Sequence, residues 1–534
     1  MDLSRLEQFV KQFMEENGTP GVAVALTDRE KLLDVLTCGY ADVATMKPVT
    51  PDTLFQIGSI SKSFTAVALM QQSDMGRFSA HSPITDYLPW FQVKSDHGAI
   101  TAHHCLTHTA GLPNGRYDIP DSMFQVHSLR DVEIPFPPGQ HWIYSNLGYE
   151  VLTYLLESVS GQSYASVIEQ GILQPLGMTA SEPVTTNDTR LRLAVGYEHF
   201  FDDRPEHRSY PLVPARWVEL RSGAGGVSST ARDMTAYLRM LLNRGQGPRG
   251  RILSDGAFAQ LTQQTVKNPL GHYGYGLNVI EQNGCTYLAH NGNSFGYGAW
   301  MMGDLTNGLG VVVLLNSPAK GYVVRNFAYR VLRANCLGED LPVIPADQDP
   351  FAVPQAVDYP GVYEAGSRSM ELIEQDGHLL VLTEGQPVAL ESRGQDLFFA
   401  NHPNYSKFLL RFSRNDQGQV VEAFHGPDWY RNARYDGPAT FDYPPEWGAF
   451  PGHYRTQHPW WNNFWIVLRK GELVLIHPFA GEQPLRPLDD GQFCVGEPGR
   501  SPERVRFDTI LGGQALRLSY SGCDYFRSPL RIDS

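Results

Sequence analysis

Apolar positions recur along the chain in two rhythms, first helical and strand-like in alternation, then strand-like alone. Leu6, Phe9, Val10, Phe13 and Met14 form a helical stripe that ends at Gly18. "GVAVALTD" and "KLLDVLTCGYAD" then read as the two arms of a β-hairpin. The run after Ser59, "SKSFTAVALM", is apolar nearly all round, as a buried helix is, and "DMG" bounds it. A helical middle follows. The stretch from Tyr273 to Ser317 reads as three strands joined by turns at Asn283-Gly284 and Asn307-Gly308, and "KGYVVRNFAYRVLRAN" closes the region as a helix. This order predicts an α+β domain in which helices pack on an antiparallel sheet.

The rhythm changes after "GEDLPVIPADQDPFAVP", which is proline-rich and acidic like a linker. Beyond it the pattern is all-β and repeats itself. "YPGVY" at Tyr359 returns as "FPGHY" at Phe450, "DGHLLVL" as "KGELVLI", and "HGPDWYR" as "SGCDYFR", in the same order and at near-equal gaps. A duplicated β module explains this. The predicted division is a first domain over 1–340, a linker over 341–356, and two small antiparallel barrels or sandwiches over 357–443 and 444–534.

Composition narrows the functional classes. A formal net charge of -14 argues against nucleic acid as the main partner, because phosphate binding needs a basic face. No stretch is long and apolar enough to span a bilayer. The first residues lack the basic start and apolar core of a secretory signal, so a cytoplasmic protein is expected. The six cysteines are scattered with no C-x-x-C, which suggests neither a disulfide framework nor a cysteine zinc cage. No cofactor is implied. An unpaired sheet edge in either β module would allow a homodimer.

Candidate chemistry begins with "FQIGSISKSFTA". Ser59 and Lys62 are three apart where a helix begins, so they share a face. A serine at a helix start gains the positive end of the helix dipole, and a lysine one turn inward would be driven toward its neutral amine by desolvation. The alternative reading is a cap followed by a solvated lysine, and a second S-x-x-K stands at Ser317 to Lys320. Next, "PPGQHWIYSNLGYEVL" puts Tyr144 and Asn146 on a tight loop before a helix. The tyrosine could reach a serine on another helix, with its phenolate favoured by a nearby cation, or it could be a packed aromatic. A second Y-x-N is at Tyr430. The third candidate is His290-Asn291-Gly292 on the middle strand of the three. Gly292 would leave room for a substrate backbone, and the N–H groups of Asn293 and Ser59 could form an oxyanion hole. A second H-x-G is at His272.

The three motifs, in this order on helix, loop and strand, resemble the serine β-lactamase and penicillin-binding protein superfamily, and more closely its class C-type branch of esterases, D-stereospecific peptidases and β-lactamases. The likeness runs from about Thr19 to Asn316 and includes "ITAHHCLTHTAGL", "ILQPLGM", "GAGGVSSTARDM" and "LAHNGNSFGYG". It implies a serine hydrolase acting through an acyl-enzyme on a small molecule or short peptide. Ser59 would be the nucleophile, with Lys62 and Tyr144 sharing proton transfer. Asn146 would bind a substrate amide or orient Lys62, and Ser59 and Asn293 would supply oxyanion donors. His290 stands where β-lactamases and cell-wall carboxypeptidases usually carry a lysine, which favours an amidase, aminopeptidase or esterase over a β-lactamase or DD-carboxypeptidase. A group resembling D-aminopeptidases joins H-x-G to two β-barrel domains, one loop of which enters the active site; "HPFAGEQPL" and "VGEPGRSPE" are the candidates here. A penicillin-recognising sensor without turnover is the reading from another class.

Two further signals are set aside. His104 and His108 are four apart, but no third metal ligand has convincing spacing. "PWWNNFW", residues 459–465, reads as the core of a small β domain rather than a substrate wall.

Overall fold

The structure, a computed structural model, describes residues 1–116, 121–346, 349–458 and 460–529. It divides into two compact units, one of residues 1–198 and 212–344, the other of residues 199–211 and 345–534.

In the first unit, helix α1 (Ser4–Asn17) stops at Gly18, and strands β1 (Gly21–Thr27), β2 (Leu32–Asp42) and β3 (Lys47–Pro48) follow. Helices α2 (Ser61–Asp74), α3 (Asn146–Ser160) and α4 (Ala231–Leu242) occupy the middle. Six strands come next: β4 (Val266–Asn268), β5 (Gly271–Tyr273), β6 (Asn278–Gln282), β7 (Cys285–Ser294), β8 (Tyr297–Asp304) and β9 (Leu309–Leu315). Helix α5 (Tyr322–Leu337) ends the unit. The nine strands form one antiparallel sheet in the order β4-β5-β6-β7-β8-β9-β1-β2-β3.

Strand alternation explains how the sheet is covered on both faces. Val22, Val24 and Leu26 of β1 and Val311, Val313 and Leu315 of β9 meet α1 and α5, where Phe9 stacks on Phe327 with ring centroids 4.1 Å apart. Ala23, Ala25, Val312 and Leu314 face the opposite way, toward α2, α3 and α4. Each large apolar side chain fully buried this way contributes about 1.5–3 kcal/mol. Because α2 lies within that second layer, it is buried on nearly every side, including at Lys62.

The region predicted as three strands contains four, because the middle run turns at Phe295-Gly296 and returns as β8. Gly296 has φ +77°, and a Cβ there would come within 2.6 Å of the Gly196 and Tyr197 backbone. The turn escapes a reading based on hydrophobic pattern because Phe295 and Tyr297 on either side are themselves buried.

The second unit holds the repeat. Its first module is an antiparallel sheet of nine strands whose two edges, Gln386–Ala389 and Glu391–Gly394, are consecutive in the chain with only Leu390 between them. The second module is a closed barrel running from Gly452–Arg455 to Cys523–Arg527. The duplication persists in a single bond: the Tyr363 hydroxyl donates to the Tyr359 carbonyl at 2.8 Å, and the Tyr454 hydroxyl to the Phe450 carbonyl at 2.7 Å. Between the modules, Lys470 Nζ donates to Glu422 Oε1 at 2.7 Å and lies within 6 Å of the ring centroids of Phe424, Trp429, Tyr435 and Phe441.

Two details depart from the expected division. Val353 and Ala356, inside the stretch read as a linker, are buried in the core of the first β module. The segment His199–Pro211, drawn from the middle of the first domain, belongs to the second unit. There Asp202 accepts from Arg455 at 2.6 Å and from Asn462 at 2.7 Å. Of the aromatics expected in a β-domain core, Phe464 and Trp465 are buried, Trp465 against Phe408 of the first β module, while Trp461 is only half-buried; Pro459 lies outside the described residues. Among the described residues no helix is long and apolar enough to cross a membrane.

Candidate active site

The turn Gly58–Ile60 feeds directly into α2, so Ser59 sits two residues before the helix and only half-buried, while Lys62 is wholly enclosed. Strand β7 fixes the turn. A Cβ on Gly292 would fall 1.9 Å from the Ile57 carbonyl oxygen and 2.8 Å from Ser59 N, and one on Gly58 would fall 2.6 Å from the Asn293 carbonyl oxygen. The space kept open by Gly292 is therefore filled by the backbone of the Ser59 turn and not by a substrate. The same packing puts the Asn293 backbone beside the residue that precedes Ser59.

Lys62 Nζ has three oxygen neighbours: Ala224 O at 2.6 Å, Asn146 Oδ1 at 2.7 Å and Ser59 Oγ at 3.0 Å. The first two can only accept hydrogen bonds. A neutral amine would spend its two N–H groups on them and turn its lone pair to the Ser59 hydroxyl. Burial favours that form, bringing the Lys62 pKa down to about 7, with Glu150 pulling the other way.

Asn146 is the first residue of α3 and is held from several sides. Ser145 caps the helix by accepting from Gly148 N at 3.0 Å, and its own hydroxyl donates to the Pro113 carbonyl at 2.7 Å. Asn146 Nδ2 donates to Asn114 Oδ1 at 2.9 Å, so the Oδ1 atom is the one aimed at Lys62. Of the two roles expected for Asn146, the geometry shows orientation of Lys62.

Tyr144 reaches Ser59 with its hydroxyl, and Lys62 Nζ lies 4.9 Å from its ring centroid. The expected phenolate is overturned. Burial holds this phenol well above its ordinary range, more than its hydrogen bond with Ser59 lowers it, and an amine near neutrality offers little compensating charge. In the resting site Tyr144 carries its proton.

His290 is tied at both ring nitrogens. Nδ1 lies 2.7 Å from the Asn291 carbonyl, to which it donates, and Nε2 lies 3.0 Å from the Tyr273 hydroxyl, from which it accepts. Burial and then Lys62 push its pKa down to about 3, against the pull of the Asn291 carbonyl. The ring is neutral at physiological pH.

Several contributors lie outside the three motifs. The carbonyl of Ala224 comes from the glycine-rich stretch 222–227, which is stitched to α2 by Val227 N donating to Ser61 Oγ at 3.0 Å and Thr65 Oγ1 donating to Gly223 O at 3.0 Å. Tyr273 stands next to His272, the residue of the second H-x-G. The helix Ala102–Leu106 ends before His108, so His104 and His108 share no helix face. His108 instead packs at a tilt against Tyr144, with ring centroids 4.3 Å apart, and accepts from Ser145 N at 3.1 Å. Only the quoted matches "GAGGVSSTARDM" and "ITAHHCLTHTAGL" hinted at these segments.

Residues 6–335 match the model of the Beta-lactamase family. The chain belongs to the β-lactamase family. Penicillin-binding protein 4 of Amycolatopsis lactamdurans is 29% identical to it over 374 residues, 65% of this chain and 94% of that protein. Protein flp of Staphylococcus aureus is 24% identical over 328 residues, and the match spans 62% of that protein's length. Among solved structures, an octameric penicillin-binding protein homologue from Pyrococcus abyssi is matched over 80% of this chain and 100% of that one, with TM-score 0.58 and 25% identity. This member of the β-lactamase family is thus a serine hydrolase with a catalytic α+β domain and C-terminal β modules.

Proposed function

We propose that Ser59 is the nucleophile of an acyl-enzyme reaction on short amide, peptide or ester substrates, in the manner of a D-stereospecific aminopeptidase, amidase or esterase. The observation that carries this is the placement of Lys62 Nζ, with two carbonyl oxygens taking its protons and its remaining direction on Ser59 Oγ at 3.0 Å. Lys62 removes the hydroxyl proton as Oγ attacks the carbonyl carbon. The oxyanion is held by the N–H groups of Ser59 and Asn293. Tyr144, protonated and beside Oγ, gives its proton to the leaving nitrogen or oxygen. Water then enters and the same groups run the steps in reverse to release the acid.

His290 supports the choice of substrate class. A neutral ring with both nitrogens occupied offers no cation for a substrate carboxylate, so substrates lacking a carboxylate at that point fit better than β-lactams or the C-terminal D-alanyl group of a carboxypeptidase substrate. The test is a panel of D- and L-amino-acid p-nitroanilides, p-nitrophenyl esters and nitrocefin, with fluorophosphonate labelling of the wild type and Ser59→Ala. Turnover of anilides or esters, with labelling lost in the variant, is expected. Nitrocefin as the preferred substrate would overturn the assignment of substrate class, and a permanent adduct without turnover would favour a sensor.

A further inference from the structure

Glu150 lies four residues beyond Asn146 on α3, so the two share a face of that helix. It is buried, and its Oε1 accepts from Ser222 Oγ at 2.6 Å. Its Oε2 has no hydrogen-bond partner among the described residues. Ser222 is two residues before Ala224. The carboxyl is therefore linked through α3 to Asn146 and through the 222–227 stretch to Ala224, the two groups that hold the Lys62 amine.

A buried carboxyl with one free oxygen is costly unless something offsets it. The offsets here are the Ser222 hydrogen bond and then Lys62, whose field favours the carboxylate as Glu150 in turn favours the ammonium. Burial pushes Glu150 up to about 7, so the two groups titrate over the same range. Asp121, at the start of the helix Ser122–His127, acts on Glu150 in the same direction as burial. On the Lys62 side the other titratable neighbours are His108, His290, Tyr144 and Tyr149.

We propose that Glu150 is a positioning residue that, with Ser222, sets the charge and aim of the Lys62 amine. The inference rests on Lys62 being the base for Ser59. An anionic Glu150 holds a proton on Lys62 and delays activation as pH rises, so removing the charge should bring activation to lower pH.

The experiment is the pH dependence of kcat/KM for a p-nitrophenyl ester, and of the fluorophosphonate labelling rate, in wild type, Glu150→Gln, Glu150→Asp and Ser222→Ala. The midpoint of the acidic limb is expected about one unit lower in Glu150→Gln and about half a unit lower in Ser222→Ala, with Glu150→Asp near the wild type. A merely structural role would reduce rates without moving the midpoint. Unmoved midpoints in folded Glu150→Gln and Ser222→Ala overturn the proposal; if Glu150→Gln does not fold, an unmoved midpoint in Ser222→Ala does so alone. Lys62→Met separates the two levels. If it retains the wild-type limb, the base assignment itself fails; if it is inactive while the Glu150 midpoint stays put, only the role of Glu150 fails.

Discussion

The Lys62 amine meets Ser59 Oγ at 3.0 Å along the one direction that its two carbonyl partners leave open. Its pKa of about 7 and the raised pKa of Tyr144 assign the two proton carriers opposite resting states. The rate should therefore rise with pH through about 7, as Lys62 loses its proton, and should not fall again within the ordinary phenol range. His290, with a pKa near 3, should add no step near pH 6.5. A kcat/KM profile from pH 4 to 10 checks this, and a limb near 10 would mean that Lys62 stays charged. Lys62→Met should lower kcat/KM by 10²-fold or more.

Gly292 should tolerate no side chain. A Cβ lying 1.9 Å from the Ile57 carbonyl forces β7 and the Ser59 turn apart, since both neighbours are backbone. Gly292→Ala is expected to cost about 1–3 kcal/mol or more and to slow labelling of Ser59 at least tenfold. Denaturant unfolding beside labelling kinetics separates the two losses, and wild-type labelling in a folded variant would show that the turn is not held as described.

His290→Lys tests the link between charge and substrate class. An ammonium in place of a neutral ring should raise kcat/KM for nitrocefin, which carries a carboxylate, relative to a neutral p-nitrophenyl ester. The expected change in that ratio is about tenfold, since a charge-assisted hydrogen bond is worth about 1.5–3 kcal/mol before the cost of burying the lysine. An unchanged ratio would place the substrate carboxylate away from residue 290.

The candidate site residues stand out in the sequence because each lies at a boundary that local chemistry marks: Ser59 before an apolar helix, Tyr144 before a capped one, His290 on a strand with a glycine two residues on. Their supports were not legible. The Ala224 carbonyl and the Tyr273 hydroxyl act through backbone position or through a partner far along the chain, and no residue pattern announces either. The phenolate expected for Tyr144 failed for a related reason: the sequence shows that a cation is near, but not that burial outweighs it. In the fold, the stripe of α1 showed which of its faces is buried, whereas β1 and β9 are apolar throughout and buried on both faces. The turn at Phe295-Gly296 stayed hidden because it sits among residues as buried as the strands it joins. The place of His199–Pro211 depends on pairings such as Asp202 with Arg455, 253 residues apart, which no local rhythm encodes.

Lys470 gives a test within the second unit. Its ammonium lies within 6 Å of four ring centroids and is bonded to Glu422, which also accepts from Trp429 Nε1 at 2.7 Å. Lys470→Met keeps the apolar stem but removes the charge, so it loses the attraction of the rings, about 0.5–1 kcal/mol for a partly exposed cation, and leaves the buried Glu422 carboxylate with a single neutral donor. The expected cost is about 2–4 kcal/mol in the urea transition followed by tryptophan fluorescence. Adding Glu422→Gln should recover part of it, because a neutral amide needs no counter-charge and its oxygen still accepts from Trp429. Labelling of Ser59 in the folded protein should be unchanged in both variants. If the double variant is no more stable than Lys470→Met, the stranded carboxylate is not the main cost, and cation and ring packing alone account for the loss.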